Sequence, residues 1–173
     1  MSDFAQTPSQ TVGPFFHFAL PYADGPLVAP AADPRALRLH GTVFDGTGAG
    51  VRDAMVEIWQ ADESGSPSRR RGSLERDGYG FTGFGRAATN LAGEYSFTTL
   101  VPGTGFATLA IFARGLSLHL FTRAYFADVD DALLASLPSD RRTTLLATPD
   151  AERSYRFDVR LQGEGETVFL EYT

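Results

Sequence analysis

Tyr155, Phe157, Val159 and Leu161 alternate with Arg156, Asp158, Arg160 and Gln162. A two-residue period of this kind belongs to a half-buried β-strand, whose successive side chains leave on opposite faces. The same period starts at Leu37, where Leu39, Gly41 and Val43 alternate with Arg38, His40 and Thr42. It returns where Val56 and Ile58 alternate with Glu57 and Trp59, and over 94–101, where Tyr95, Phe97 and Thr99 share a face. Further strands are predicted over 106–114, 117–126 and 167–172. Asp45-Gly46-Thr47-Gly48 and Pro102-Gly103-Thr104-Gly105 supply turns. Asp130 or Asp131 caps a short predicted helix running to about Ser136 and stopped by Pro138. Many short strands, frequent turns and little helix imply an antiparallel sandwich or barrel.

Residues 1–36 are predicted to form an arm. Pro8, Pro14, Pro21, Pro26, Pro30 and Pro34 oppose helix and central strand, yet Phe15, Phe16, Phe18, Leu20 and Tyr22 are too apolar for a free tail. Such an arm packs on its own domain or at a subunit interface, leaving 37–173 as one sandwich domain. Residues 62–80 form a long loop of the kind that is functional or buried between subunits.

Net charge of −6 argues against gripping a phosphate backbone, so no nucleic acid is expected. Arg69-Arg70-Arg71 is a short run in a polar loop, either solvated or a subunit contact. All 15 basic residues are Arg, which excludes lysine Schiff-base chemistry, and the absence of Cys excludes thiolate ligands and nucleophiles. No apolar run is long enough to span a membrane and no signal-like segment opens the chain, so a cytoplasmic protein is expected.

Read residue by residue, the chain has no self-contained catalytic set. His17, His40 and His119 form no paired ligand spacing. Ser64-Gly65-Ser66 lacks an evident base, Glu164 and Glu166 read as a polar turn, and Gly83-x-Gly85 is too short for a dinucleotide fingerprint.

An ordered series of segments nevertheless resembles the intradiol ring-cleavage dioxygenases. It begins with Thr7-Pro8-Ser9-Gln10-Thr11-Val12-Gly13-Pro14-Phe15, Gly41-Thr42-Val43-Phe44-Asp45-Gly46 and Val56-Glu57-Ile58-Trp59-Gln60-Ala61-Asp62. It continues with Phe84-Gly85-Arg86, Phe112-Ala113-Arg114-Gly115 and His119-Leu120-Phe121-Thr122-Arg123-Ala124-Tyr125-Phe126. Tyr155-Arg156-Phe157-Asp158 and Gly163-Glu164-Gly165-Glu166-Thr167-Val168-Phe169 complete it.

The resemblance implies an antiparallel β-sandwich with an extended N-terminal arm and one or two short helices. It implies cleavage of a catechol acid by O2 between its two hydroxyl-bearing carbons. Catalytic chains of the family hold Fe3+ with two Tyr and two His, the histidines forming His-x-His on the strand after the Pro-Gly turn. Phe106 and Thr108 stand at those positions here, Tyr79 is the one candidate for the first tyrosine, and no Tyr follows Pro102-Gly103.

The resemblance is therefore to the α-type chain, with the iron held by a β-type partner in a higher (αβ)n assembly. By the same likeness Thr11, Gly13, Pro14 and Arg114 form this chain's wall of the substrate pocket, with no metal ligand and no catalytic residue of its own. In a regular strand Arg114 shares a face with Phe106, Thr108, Ala110 and Phe112. Two alternatives are a self-sufficient enzyme, with iron on unusual ligands such as Tyr79 and His119 or with a metal-free activity, and a non-enzymatic, transthyretin-like binding sandwich.

Overall fold

The alternating segments become the strands of two sheets packed face to face. A computed structural model describes residues 8, 10–13, 15–68 and 76–171. In chain order the elements are α1 (Phe16–Ala19), β1 (Leu37–Phe44), β2 (Met55–Trp59), β3 (Phe84–Ala88), β4 (Glu94–Thr99), β5 (Phe106–Phe112) and β6 (Leu120–Tyr125). Then follow α2 (Ala132–Ser136), α3 (Ser139–Thr143), β7 (Thr148–Ala151), β8 (Ser154–Arg156) and β9 (Val159–Arg160). One sheet runs β4-β1-β8-β7, with β9 also on β1; the other runs β3-β2-β5-β6. Between them lie Leu39, Val43, Val56, Ile58, Phe97, Leu109, Ile111 and Val159, each almost wholly excluded from water.

The β3-β2-β5-β6 sheet is antiparallel throughout, whereas β8 and β9 run parallel to β1. The expected single strand through Phe157 is divided for a visible reason. Phe157 N–H donates to His40 O (2.7 Å), and the Asp158 carboxylate then takes the Thr42 amide (2.9 Å) in place of a backbone carbonyl. Pairing resumes at Val159. The Phe157 carbonyl passes directly over Gly41, where a Cβ would lie 1.8 Å from its oxygen. Tyr95 Oη donates to the same oxygen at 2.6 Å, and full burial pushes the phenol far above its ordinary pKa, keeping it a donor. Tyr95→Phe is expected to destabilise the fold by about 1–3 kcal/mol, the cost of an unsatisfied buried carbonyl. Urea unfolding measures this, and a loss below about 0.5 kcal/mol would show that the carbonyl finds another donor.

Three further differences have local causes. The arm contains a short helix, α1, in the interval between its prolines. Pro138 ends α2 but also begins α3, since a proline at a helix start forfeits no intrahelical bond; Arg142 N–H donates to its carbonyl at 2.8 Å. Among its described residues the expected last strand makes one bridge, Leu170 to Phe121. Its Thr167 N–H bonds Arg160 O beside the first sheet and its Leu170 N–H bonds Phe121 O in the second, so the segment crosses between sheets. The cap on α2 is Asp131, whose carboxylate accepts from Leu133 and Leu134.

Residues 20–29 of the arm are stitched to their own domain. Val28 and Ala29 N–H both reach Thr98 O on β4, and Gly25 O accepts from Arg86 N–H on β3. Val28 and Ala29 are buried, so this stretch closes the sandwich at one edge. Arg69-Arg70-Arg71, Pro14 and Tyr172 lie outside the described residues.

Candidate functional site

Register places the outward side chains of the second sheet. Trp59 faces Phe84 and Thr108, Glu57 faces Arg86 and Ala110, Thr108 faces Arg123, and Ala110 faces Phe121. Trp59 is 52% exposed and tilts onto Phe84 at 4.4 Å between centroids. Beside it Arg86 donates twice to Glu57 Oε1 (2.5 and 2.8 Å). A cleft of about 450 Å³ opens here, with Trp59, Thr82, Phe84, Thr104, Phe106 and Thr108 among its walls.

Phe106 and Thr108 both lie on this outer face. The guanidinium of Arg123 sits 4.0 Å over the Phe106 ring, and the Tyr125 ring approaches it at 5.2 Å. Arg123 donates to Tyr125 Oη (3.1 Å), and Tyr125 Oη donates to Asp131 (2.8 Å). Burial raises the Tyr125 pKa, with Arg123 pulling the other way.

These residues do not fit a ferric ion. Phe106 offers no donor atom, and a fixed guanidinium beside it repels a cation. Among the described residues no three His, Cys, Asp or Glu converge as a ligand set.

Arg114 and Thr11 meet at the end of β5. The strand stops at Phe112, so strand parity does not extend to Arg114, which sits in a turn closed by Leu116 N–H to Ala113 O. Gly115 in that turn has φ +93°, a conformation glycine adopts without strain. Thr11 Oγ1 accepts from Gly115 N–H at 2.8 Å and donates to Ala113 O over a long 3.4 Å. Two segments about a hundred residues apart, both nominated from the sequence, are thereby joined. Arg114 Nε pairs with Asp53, a largely buried carboxylate, while half of the Arg114 side chain stays open to water. Phe16 of α1 lies on Phe112 at 5.4 Å, carrying the arm along the same edge.

The sequence profile of the family described as "Dioxygenase" matches residues 12–108. The chain is 39% identical to the protocatechuate 3,4-dioxygenase alpha chain of Burkholderia cepacia, covering 99% of this chain and 100% of that one. It is 38% identical to the alpha chain of Pseudomonas putida, covering 96% of each. The chain belongs to the intradiol dioxygenases. Its likeness to the beta chain of B. cepacia is lower, 28% over 76% of this chain and 60% of that one. In fold it is similar to the dioxygenase domain of a carbohydrate-binding fusion protein from Streptomyces sp. SirexAA-E, with TM-score 0.60 and 22% identity over 91% of this chain and 99% of that one. These relatives are dioxygenase chains, in place of the transthyretin-like alternative.

Within this intradiol dioxygenase chain the other candidates are scattered. His119 stacks on Phe112 (5.1 Å) and meets the edge of Phe121, while Tyr79 is 91% exposed with its amide on Asp77. His40 pairs with Asp150 at 2.8 Å, and His17 lies against Phe18. Glu166 closes a turn whose carbonyl accepts from Arg141. Gly13 O accepts from Phe16 N–H, and a Cβ at Gly13 meets nothing within 4 Å among the described residues, so no contact with them requires glycine there.

Sequence reasoning missed Asp53 as the partner of Arg114, and Arg123 as the residue over Phe106. Asp53 lies outside every segment of the family series, and Arg123 stands within the His119–Phe126 segment without a role attached to it there. The outward parity of Thr108 and Arg123 on neighbouring strands was the one available signal for the second.

Proposed function

We propose that this chain is the α subunit of a protocatechuate 3,4-dioxygenase, completing the substrate pocket of an Fe3+-bearing β chain in an (αβ)n assembly. The reaction is intradiol cleavage of protocatechuate by O2 to 3-carboxy-cis,cis-muconate, a step of aromatic degradation by the β-ketoadipate route. The observation that carries the reading is Phe106. At the position that the family resemblance matches to a histidine of catalytic chains, the sheet presents an aromatic ring covered by the Arg123 guanidinium. Full-length likeness to two alpha chains supports the same assignment.

In this reading Thr11, Gly13, Pro14 and Arg114 border the pocket of the partner, excluding water and orienting the ring. Arg114 complements the substrate carboxylate with the exposed part of its guanidinium, the geometry for which arginine is suited. The exposed aromatic surface of Phe15, Phe18 and Trp59 suits burial against the β chain. Among the described residues no helix is long and apolar enough to cross a membrane, and a cytoplasmic site of action is part of the proposal.

The test is iron content and ring-cleavage activity of this chain purified alone and co-produced with a β-type chain. Expected are a colourless, iron-free, inactive protein alone and a red-brown, active complex. Stoichiometric iron and turnover in the lone chain would overturn the assignment and send attention to Tyr79 and His119.

A further inference from the structure

Arg114 is well placed to meet a carboxylate only if its backbone is held, because it lies in a turn beyond the end of β5. The turn has one hydrogen bond of its own among the described residues, Leu116 N–H to Ala113 O at 3.3 Å, and its glycine imposes little conformational preference. Ala113 and Leu116 anchor its two ends in the core, and the further hydrogen bonds to its backbone come from the arm. The Thr11 hydroxyl accepts from Gly115 N–H and donates to Ala113 O, gripping the residues immediately before and after Arg114. Asp53 fixes the side chain from the opposite side through Nε.

Both hydrogen-bonding directions of the Thr11 hydroxyl are thus used inside this chain. A hydroxyl has one proton to donate, and the acceptor within reach in this chain is Ala113 O, 3.4 Å away.

We infer that Thr11 is a positioning residue for Arg114, acting on the substrate carboxylate through the Ala113–Gly115 turn rather than by touching substrate. The inference rests on the reading of Arg114 as the carboxylate partner, and it changes what Thr11 does within that reading. Arm and turn form one device. Docking of the arm sets the aim of the guanidinium, so arm order and preference for a carboxylated ring are coupled.

The experiment is a double-mutant cycle in the complex of this chain with its iron-bearing partner. Thr11→Val, Thr11→Ser, Arg114→Ala and Thr11→Val/Arg114→Ala are compared by KM and kcat for protocatechuate, and by KM for catechol, which lacks the carboxylate. Thr11→Val is expected to raise KM for protocatechuate about fivefold with little change in kcat, the effect of losing one hydrogen bond of about 1 kcal/mol. Thr11→Ser keeps the hydroxyl and recovers most of that loss. KM for catechol stays within about twofold, and Thr11→Val adds nothing once Arg114 is alanine, as residues acting through one another require.

An equal rise in KM for both substrates, or additive effects of the two substitutions, would show a packing role for Thr11 and overturn the inference while leaving Arg114 in place. No effect of Arg114→Ala on protocatechuate would remove the carboxylate reading itself, and with it the inference. Iron content and size of each complex, measured alongside, separate these outcomes from failed assembly.

Discussion

Gly41→Ala is expected to lower the stability of this chain by at least about 3 kcal/mol, the range of severe core overpacking. The added methyl would sit 1.8 Å from Phe157 O and 2.5 Å from its carbonyl carbon, well inside van der Waals contact. Both are backbone atoms, so no rotamer change relieves the clash. Nor can the carbonyl swing away freely. Tyr95 Oη holds its oxygen at 2.6 Å, the Phe157 amide is tied to His40 O, and Asp158 is tied to the Thr42 amide. The substitution must therefore separate β1 from the β8–β9 segment, which carries Val159 and Phe157 into the core. For a chain of this length a loss of 3 kcal/mol lowers Tm by about 6–12 °C. Calorimetry or thermal circular dichroism reads it directly. A shift below about 2 °C would mean that the crossing over Gly41 is looser than its hydrogen bonds imply.

Arg114→Ala in the assembled enzyme is the functional counterpart. Loss of a charge-assisted hydrogen bond costs about 1.5–3 kcal/mol when shielded and less when exposed, and half of this side chain is open in the isolated subunit. The partner chain covers it in the proposed pocket, so about a 10- to 100-fold rise in KM for protocatechuate is expected. Catechol offers Arg114 no charge, and its KM should move little. Asp53 makes the substitution informative in a second way. Removing the guanidinium leaves a largely buried carboxylate without its Arg114 partner at the pocket edge, which repels an anionic substrate and adds to the effect. Arg114→Ala/Asp53→Asn is therefore expected to recover part of the loss. Unchanged KM and kcat in the single variant would take Arg114 out of substrate binding and leave its ion pair with Asp53 as a structural contact.

The contrast between these two positions shows where a sequence is informative. The strand around Gly41 is legible because alternation is a property of near neighbours: Leu39, Gly41 and Val43 share a face in any extended chain. The turns and the Asp131 cap are legible for the same reason, since the groups that satisfy each other lie within a few residues. Strand parity, equally local, put Phe106 and Thr108 on one face of β5, where both are partly exposed.

Partner choice across the fold is different. Nothing local makes β8 and β9 run parallel to β1, makes Asp158 replace a ladder carbonyl, or sends 167–170 from one sheet to the other. The same holds for the Thr11 hydroxyl at the Arg114 turn and for Asp53 at the Arg114 guanidinium. Each pairing joins segments far apart in the chain, and each forms because a backbone or charged group near the core must find a partner once the sheets have packed. Composition and periodicity decided that the chain makes two apolar-faced sheets with no cysteine or lysine chemistry. The packing of those sheets decided which carbonyl crosses Gly41 and which hydroxyl grips the Arg114 turn, because burial selects among distant polar groups that are equivalent in an unfolded chain.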